Sequence, residues 1–157
     1  MAGALLIALL AGFAPAFARL SESVWGLAPC ELCLWQRAPY WAACALALAA
    51  AAWPARRRAL LWAAGAGCAL SAAIAAFHLG VEWRWWPSPL AGCQAPTLNA
   101  AQSLEEMMAA LRPLPTRPCD EPAFLLPGLP LSMAGMNLIY GLGLAALAAR
   151  RAAKEPR

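Results

Sequence analysis

Four apolar stretches, each close to the length a helix needs to cross a bilayer, constrain what this chain can fold into. A hydrocarbon core takes roughly 20 consecutive apolar residues per helix. The first stretch runs from about Ala2 to Ala18, and the second from about Leu34 to Trp53 with the single charge Arg37. The third runs from about Ala59 to Leu79 and the fourth from about Leu131 to Ala149. Hydrophobic residues make up 62% of the 157 and charged residues 13%, which leaves too little polar surface for a soluble domain of this size. The expectation is an all-α membrane protein, one integral-membrane domain over residues 1–157 built as a four-transmembrane-helix bundle. Alanine-rich helices of this kind pack closely in lipid because small residues let backbones approach. Trp25, Trp35, Trp53, Trp83, Trp85 and Trp86 fall near the expected helix ends, where aromatic belts belong, with Trp41 and Trp62 deeper.

The first stretch has a competing reading as a cleaved signal peptide, since Ala16-Phe17-Ala18 resembles a processing site. No basic residue precedes the apolar run, as a signal peptide normally requires, so a retained helix is expected. Basic residues set the orientation. Arg56, Arg57 and Arg58 fill the link between the second and third stretches, and Arg150, Arg151, Lys154 and Arg157 follow the fourth. Both segments are expected in the cytoplasm. An even number of spans then puts the N-terminus there too and turns residues 19–33 and the long loop of about 80–130 outward. Within that proline-rich loop Leu98, Leu104, Met107, Met108 and Leu111 recur at helical spacing around Glu105 and Glu106. They predict a short amphipathic helix lying on the membrane surface or packed on the loop. The formal charge of +4 comes with no basic run interleaved with aromatics, so nucleic acid is not an expected partner.

Topology divides the six cysteines. Cys30, Cys33, Cys93 and Cys119 lie outside or at the outer face, and allow three pairings. Cys44 and Cys68 fall inside the second and third helices, where a cysteine acts as a small packing residue. Cys30-Glu31-Leu32-Cys33 is a CxxC motif at the start of a helix. Backbone N–H groups at a helix N-terminus favour a thiolate, and Arg37, four residues after Cys33, shares its face. An arginine this close to lipid either snorkels or has a function, and the functional reading is favoured. Alone, a CxxC is a weak signal. Placed by topology at the outer face, with an arginine one turn deeper and two further outer cysteines, it points to redox chemistry. A metal site from the four outer cysteines and His78 is not expected, because Cys93 and Cys119 lack the close spacing that zinc sites use.

Pro29-Cys30-Glu31-Leu32-Cys33-Leu34-Trp35-Gln36-Arg37 resembles the signature segment of the DsbB family of disulfide bond formation proteins. Pro87-Ser88-Pro89-Leu90-Ala91-Gly92-Cys93, Cys119-Asp120 and Ser132-Met133-Ala134-Gly135-Met136-Asn137 extend the likeness over nearly the whole chain. For that family the DsbA–DsbB–quinone route is already known as what keeps the bacterial periplasm oxidising. The resemblance implies a bacterial inner-membrane protein with cytoplasmic termini and periplasmic cysteines. It implies that Cys93 and Cys119 form the disulfide that meets a reduced DsbA-like thioredoxin-fold partner, with Cys93 taking the mixed disulfide. Cys119 would then exchange with Cys30, and Cys33 would contact a quinone, ubiquinone or menaquinone, beside Arg37. The partner is itself strongly oxidising, at about −120 mV, so its reoxidation needs an acceptor of higher potential than glutathione. His78 and Glu82, one turn apart, resemble a His-x-x-x-Glu segment in part of the family, and His78 is expected near the quinone head. Asn137, polar within the fourth helix, needs an interhelical partner.

Two other readings compete. A vitamin-K-epoxide-reductase-like quinone reductase shares a four-helix bundle and cysteine pairs, but its quinone-side CxxC lies late in the bundle, whereas this one opens the second helix. A membrane protein whose disulfides only brace the outer loop predicts that Cys30 and Cys33 do not exchange.

Overall fold

The computed structural model describes residues 1–90, 93, 117–125 and 128–156. Helix α1 spans Ala2–Trp25, the short α2 spans Glu31–Trp35, and α3 spans Arg37–Ala52. A 3-10 turn at Pro54–Arg56 leads into α4, Arg57–Glu82, and the chain closes with α5, Met133–Lys154. Among the described residues no strand forms; one isolated bridge joins Phe124 and Ser132. The amphipathic helix expected around Leu98 to Leu111 lies outside the described residues.

Among the described residues three helical segments, Ala2–Trp25, Pro54–Glu82 and Met133–Lys154, are long and apolar enough to cross a membrane. The expected second span is divided in two and its main part, α3, has 16 residues. Pro39 explains the division. It has no N–H for the Trp35 carbonyl and is tolerated only in the first turn of a helix, so the chain restarts at Arg37. Helix α1 outruns its expected end at Ala18. Ser21 and Ser23 return their hydroxyls to the carbonyls of Ala18 and Leu20, and the helix stops at Gly26, whose φ of 64° suits glycine.

Helix α1 packs on α3, α3 on α4, and α4 on α5, while α1 and α5 meet only thinly. The core is made of small residues. Ala4, Ala8, Ala11, Ala43, Ala47, Ala64 and Ala148 are buried around Ile7, Tyr40 and Leu61. Cys68 is buried in that core, and Cys44 packs at its edge and faces Gly12. Large apolar side chains point the other way, with Leu9 at 70% and Ile139 at 63% exposure, and Trp41 and Trp62 also face outward. A soluble protein rarely exposes so continuous an apolar surface. Small residues inside and large ones outside are the distribution that lipid favours.

The helices alternate in direction, so Cys30, Cys33, Cys93 and Cys119 gather at one end and the basic residues at the other. At the basic end Arg57 pairs with Glu155 at 3.6 Å and Gly3 of α1 lies against Arg151. At the cysteine end Ser132 caps α5, accepting the Gly135 N–H, and donates to Glu82 of α4 at 2.6 Å.

Helix α4 approaches α5 closely at Gly141, where an added Cβ would stand 2.9 Å from the Tyr40 hydroxyl and 3.0 Å from the Ala72 Cβ. Gly141→Ala is therefore expected to destabilise the bundle by about 1–3 kcal/mol, read as a lowered midpoint of thermal unfolding in detergent micelles. Gly143, which has nothing within 4 Å of such a Cβ, is the matched control. Gly143→Ala should leave the midpoint unchanged or slightly raised.

Candidate active site

Cys30 opens α2. Its backbone is extended and its sulfur accepts the N–H of Cys33 at 3.1 Å, so a thiol does the capping work usually left to a hydroxyl or carboxylate. The Cys33 sulfur returns to within 2.7 Å of the Cys30 sulfur, and the Cys30 thiol donates to it. That hydrogen bond, with burial, pushes the Cys30 thiol well above the ordinary thiol range. The same hydrogen bond lowers Cys33, helped by the positive charge of Arg37 and opposed by burial. The pair is therefore asymmetric, with the proton held on Cys30 and Cys33 the sulfur that ionises more readily.

Two different surroundings meet at this pair. On one side stands the Cys93–Cys119 disulfide. The Arg117 N–H donates to the Pro29 carbonyl at 3.2 Å, and the Cys119 N–H to the Cys93 carbonyl at 3.2 Å, which seats the bridge over the CxxC. Cys30, Cys93 and Cys119 pack together with Leu32 and Val81. The Cys30 sulfur, the Cys119 sulfur and a ring nitrogen of His78 all lie within 4.8 Å of one another. Because the Cys119 sulfur is bonded to Cys93, it is not the thiolate a metal ligand requires. The grouping sets the Cys30 thiol beside a closed disulfide.

On the other side lies an apolar cleft of about 270 Å³ between α1 and α5, where those helices meet thinly. Phe13, Phe17, Met133 and Met136 supply apolar wall, and Cys33, Gln36, Arg37 and Asn137 supply the polar groups. Arg37 forms an ion pair with Glu22 of α1. Its Nε and Nη1 are buried and have no hydrogen-bond partner among the described residues. Unpaired buried donors on a guanidinium are costly, and here they border a space open to a ligand with acceptor oxygens.

The sequence-predicted residues thus divide. Cys33 and Arg37 line the cleft; Cys30, Cys93 and Cys119 make the sulfur centre. His78 is not among the residues that line the cleft. It sits behind the CxxC, with Nε2 3.5 Å from the Cys30 sulfur and 3.2 Å from the Cys119 carbonyl. Glu22 was not singled out by the sequence, although an acidic residue near the outer end of the first helix is the natural counter-charge for a buried arginine. Gln36 was legible only as a letter in the motif, yet it is 5% exposed and joins His78 to Asn137.

The asymmetry of the CxxC has a direct consequence for labelling. A thiol whose pKa is lowered is fully thiolate above that value and loses reactivity only as the pH falls through it. In the reduced pair Cys33 should take up a small alkylating reagent first, with a rate that stays flat across the pH range where an ordinary thiol still speeds up. Mass spectrometry of peptides after short exposures checks this; equal labelling of Cys30 and Cys33 would contradict it.

No individually curated protein and no solved structure matches the chain significantly. The family model described as disulfide bond formation protein DsbB matches residues 2–150, a range that reaches into all five helices and includes both cysteine pairs. With that match joined to a CxxC and a disulfide seated against it, the chain belongs to the DsbB family, whose members form disulfide bonds at a membrane.

Proposed function

We propose that this protein is a quinone-dependent disulfide oxidase of the bacterial inner membrane that reoxidises a periplasmic DsbA-like thioredoxin-fold protein. One observation carries the reading: the CxxC lies between a disulfide on one side and, on the other, an apolar cleft bearing the unpartnered nitrogens of Arg37. α1, α3, α4 and α5 would all span the bilayer, with α2 at the outer edge of the span that α3 supplies. The basic end, with Arg56, Arg57, Arg58 and Arg151, would face the cytoplasm and the cysteine end the periplasm.

The cleft fits a quinone ring. An apolar cavity of about 150 Å³ already holds benzene, and the cleft is larger and opens between helices. Cys33 and Arg37 would hold the head group, the guanidinium donating from its free nitrogens to an acceptor oxygen. A bound quinone supplies an acceptor for two electrons and two protons. The other steps are exchanges among sulfurs. A partner thiolate attacks Cys93, the less buried of the bridge pair, and Cys119 leaves as a thiolate; the partner's second thiol later attacks the mixed disulfide, which closes the partner's own disulfide and returns Cys93 as a thiolate. Cys119 attacks Cys30 of the oxidised CxxC, and the Cys30–Cys33 bond breaks with the electron pair on Cys33. The low pKa of Cys33 makes it the better leaving group. Glu22 holds the Arg37 fork in place, so that the thiolate of Cys33 and the ligand oxygen share one cation.

Purified protein in detergent, given a reduced thioredoxin-fold partner and a short-chain quinone, should oxidise the one and reduce the other in equal amounts. Cys33→Ser should abolish turnover, and turnover retained in that variant would end the proposal. Arg37→Ala should raise the KM for quinone about 10- to 100-fold, the loss of one charge-assisted hydrogen bond, while the Cys93–Cys119 bridge still exchanges with the partner.

A further inference from the structure

His78 is the chain's single histidine, and it is buried where two disulfides must exchange. Its protonation is fixed by a chain of hydrogen bonds whose polarity follows from two backbone carbonyls. The Gln36 carbonyl, an acceptor only, takes the Ser71 hydroxyl proton at 2.8 Å. The Ser71 oxygen can then only accept from Asn137, 3.3 Å away, so the Asn137 amino group faces it. The same amino group donates to the Gln36 side-chain oxygen at 2.6 Å, and the Tyr40 hydroxyl donates to the Asn137 oxygen at 2.8 Å. This turns the Gln36 amino group to His78, where it donates to Nδ1 at 2.9 Å. Nδ1 is therefore bare and the proton sits on Nε2. At the far end the Cys119 carbonyl, 3.2 Å from Nε2, independently demands a donor there. Among the described residues Glu82, Arg117 and Glu121 are the charged groups that share a small pocket with the ring; Glu82 Oε1 is 3.9 Å from Nε2, beyond hydrogen-bond reach, and its Oε2 accepts from Ser132.

We propose that His78 is a catalytic residue, the neutral Nε2–H donor that stabilises the Cys30 sulfur as it leaves Cys119, and that Gln36 and Asn137 are positioning residues that hold this tautomer. The inference rests on the oxidase reading above. In the step concerned the Cys93 thiolate attacks the Cys119 sulfur of a Cys30–Cys119 disulfide. The Cys93–Cys119 bond forms, the Cys30–Cys119 bond breaks, and Cys30 departs with the electron pair. The number of disulfides is unchanged, so no outside oxidant enters. The structure has the connectivity of the product, with Cys93 bonded to Cys119 and Cys30 free beside Cys33. The capping Cys33 N–H already points at the Cys30 sulfur at 3.1 Å, but charge growing there also faces the Cys33 sulfur 2.7 Å away, so a second donor eases the departure. Arg37 lines the cleft with Cys33, whereas His78 Nε2 reaches Cys30 at 3.5 Å. A neutral donor eases the departure without drawing the resting negative charge away from Cys33, as a cation would.

Two measurements on the full chain in detergent micelles test this. Nitrogen NMR of the single labelled histidine should show a bare Nδ1 and a protonated Nε2. A protonated Nδ1, alone or with Nε2, overturns the proposal. Asn137→Leu should convert that spectrum to a mixture of tautomers, and an unchanged spectrum removes the positioning role. In the second measurement, reaction with one equivalent of reduced partner is acid-quenched, alkylated and mapped. His78→Leu should accumulate the Cys30–Cys119 disulfide and slow its decay about 10- to 100-fold. His78→Gln, which keeps an N–H donor, should recover most of the rate, and it decides the question if the leucine variant fails to fold. Decay at the wild-type rate in both variants, or a loss confined to quinone reduction, overturns the assignment. If wild-type protein exchanges disulfides but never reduces quinone, the oxidase reading fails while the tautomer and the decay rates still judge His78.

Discussion

The sulfur of Cys30 is the point on which the cysteine end of the molecule depends. As the cap of α2 it accepts the Cys33 N–H, and it donates its proton to the Cys33 sulfur. It also lies within reach of His78 and Cys119. A helix N-terminus offers unsatisfied N–H groups and a partial positive charge, and the chain meets that need with a sulfur of the CxxC. Capping therefore fixes the reactive atom at the start of the helix that carries Cys33 inward, towards the cleft. Were the cap a serine and the thiol on a neighbouring residue, the sulfur would be free to rotate, and the contacts with Cys119 and His78 would have no common anchor.

The second constraint is the small-residue core. Between helices in lipid there is no hydrophobic drive of the kind that folds soluble proteins, and close packing takes its place. Alanines and glycines let α3, α4 and α5 come near enough for Tyr40, Ser71, Gln36 and Asn137 to bond across three helices. A polar chain of this kind tolerates no unsatisfied member in a medium without water. The close approach at Gly141 and the amide chain beside it are thus two aspects of the same packing.

Much of this was legible in the sequence because it is local. The CxxC, the arginine one turn on, the apolar stretches and the Arg56–Arg58 cluster are all contiguous patterns. The helix limits were less so. Pro39 divides the second stretch, and the capping glycine at position 26 lies well past the apparent end of the first. The contacts that define the site bridge large separations: 15 residues for Arg37 and Glu22, 42 for Gln36 and His78, 101 for Gln36 and Asn137. One sequence without its fold cannot say that these residues meet. Asn137 announced only that it needed a partner. His78 was expected near the quinone head, whereas it stands beside Cys30 and Cys119 and does not line the cleft.

Both residues of the Cys93–Cys119 bridge are nearly inaccessible, at 4% and 0% exposure. An oxidant stored in that bridge is consequently insulated from the bulk thiol pool. A small reductant that collides with the surface meets side chains and backbone before it meets sulfur, and in-line attack on a disulfide requires an open approach along the S–S axis. In the proposed reading, discharge is reserved for a macromolecule whose docking brings Cys93 into view. The leak that a strong periplasmic oxidant would otherwise suffer is closed by shape, with no demand on the redox potential.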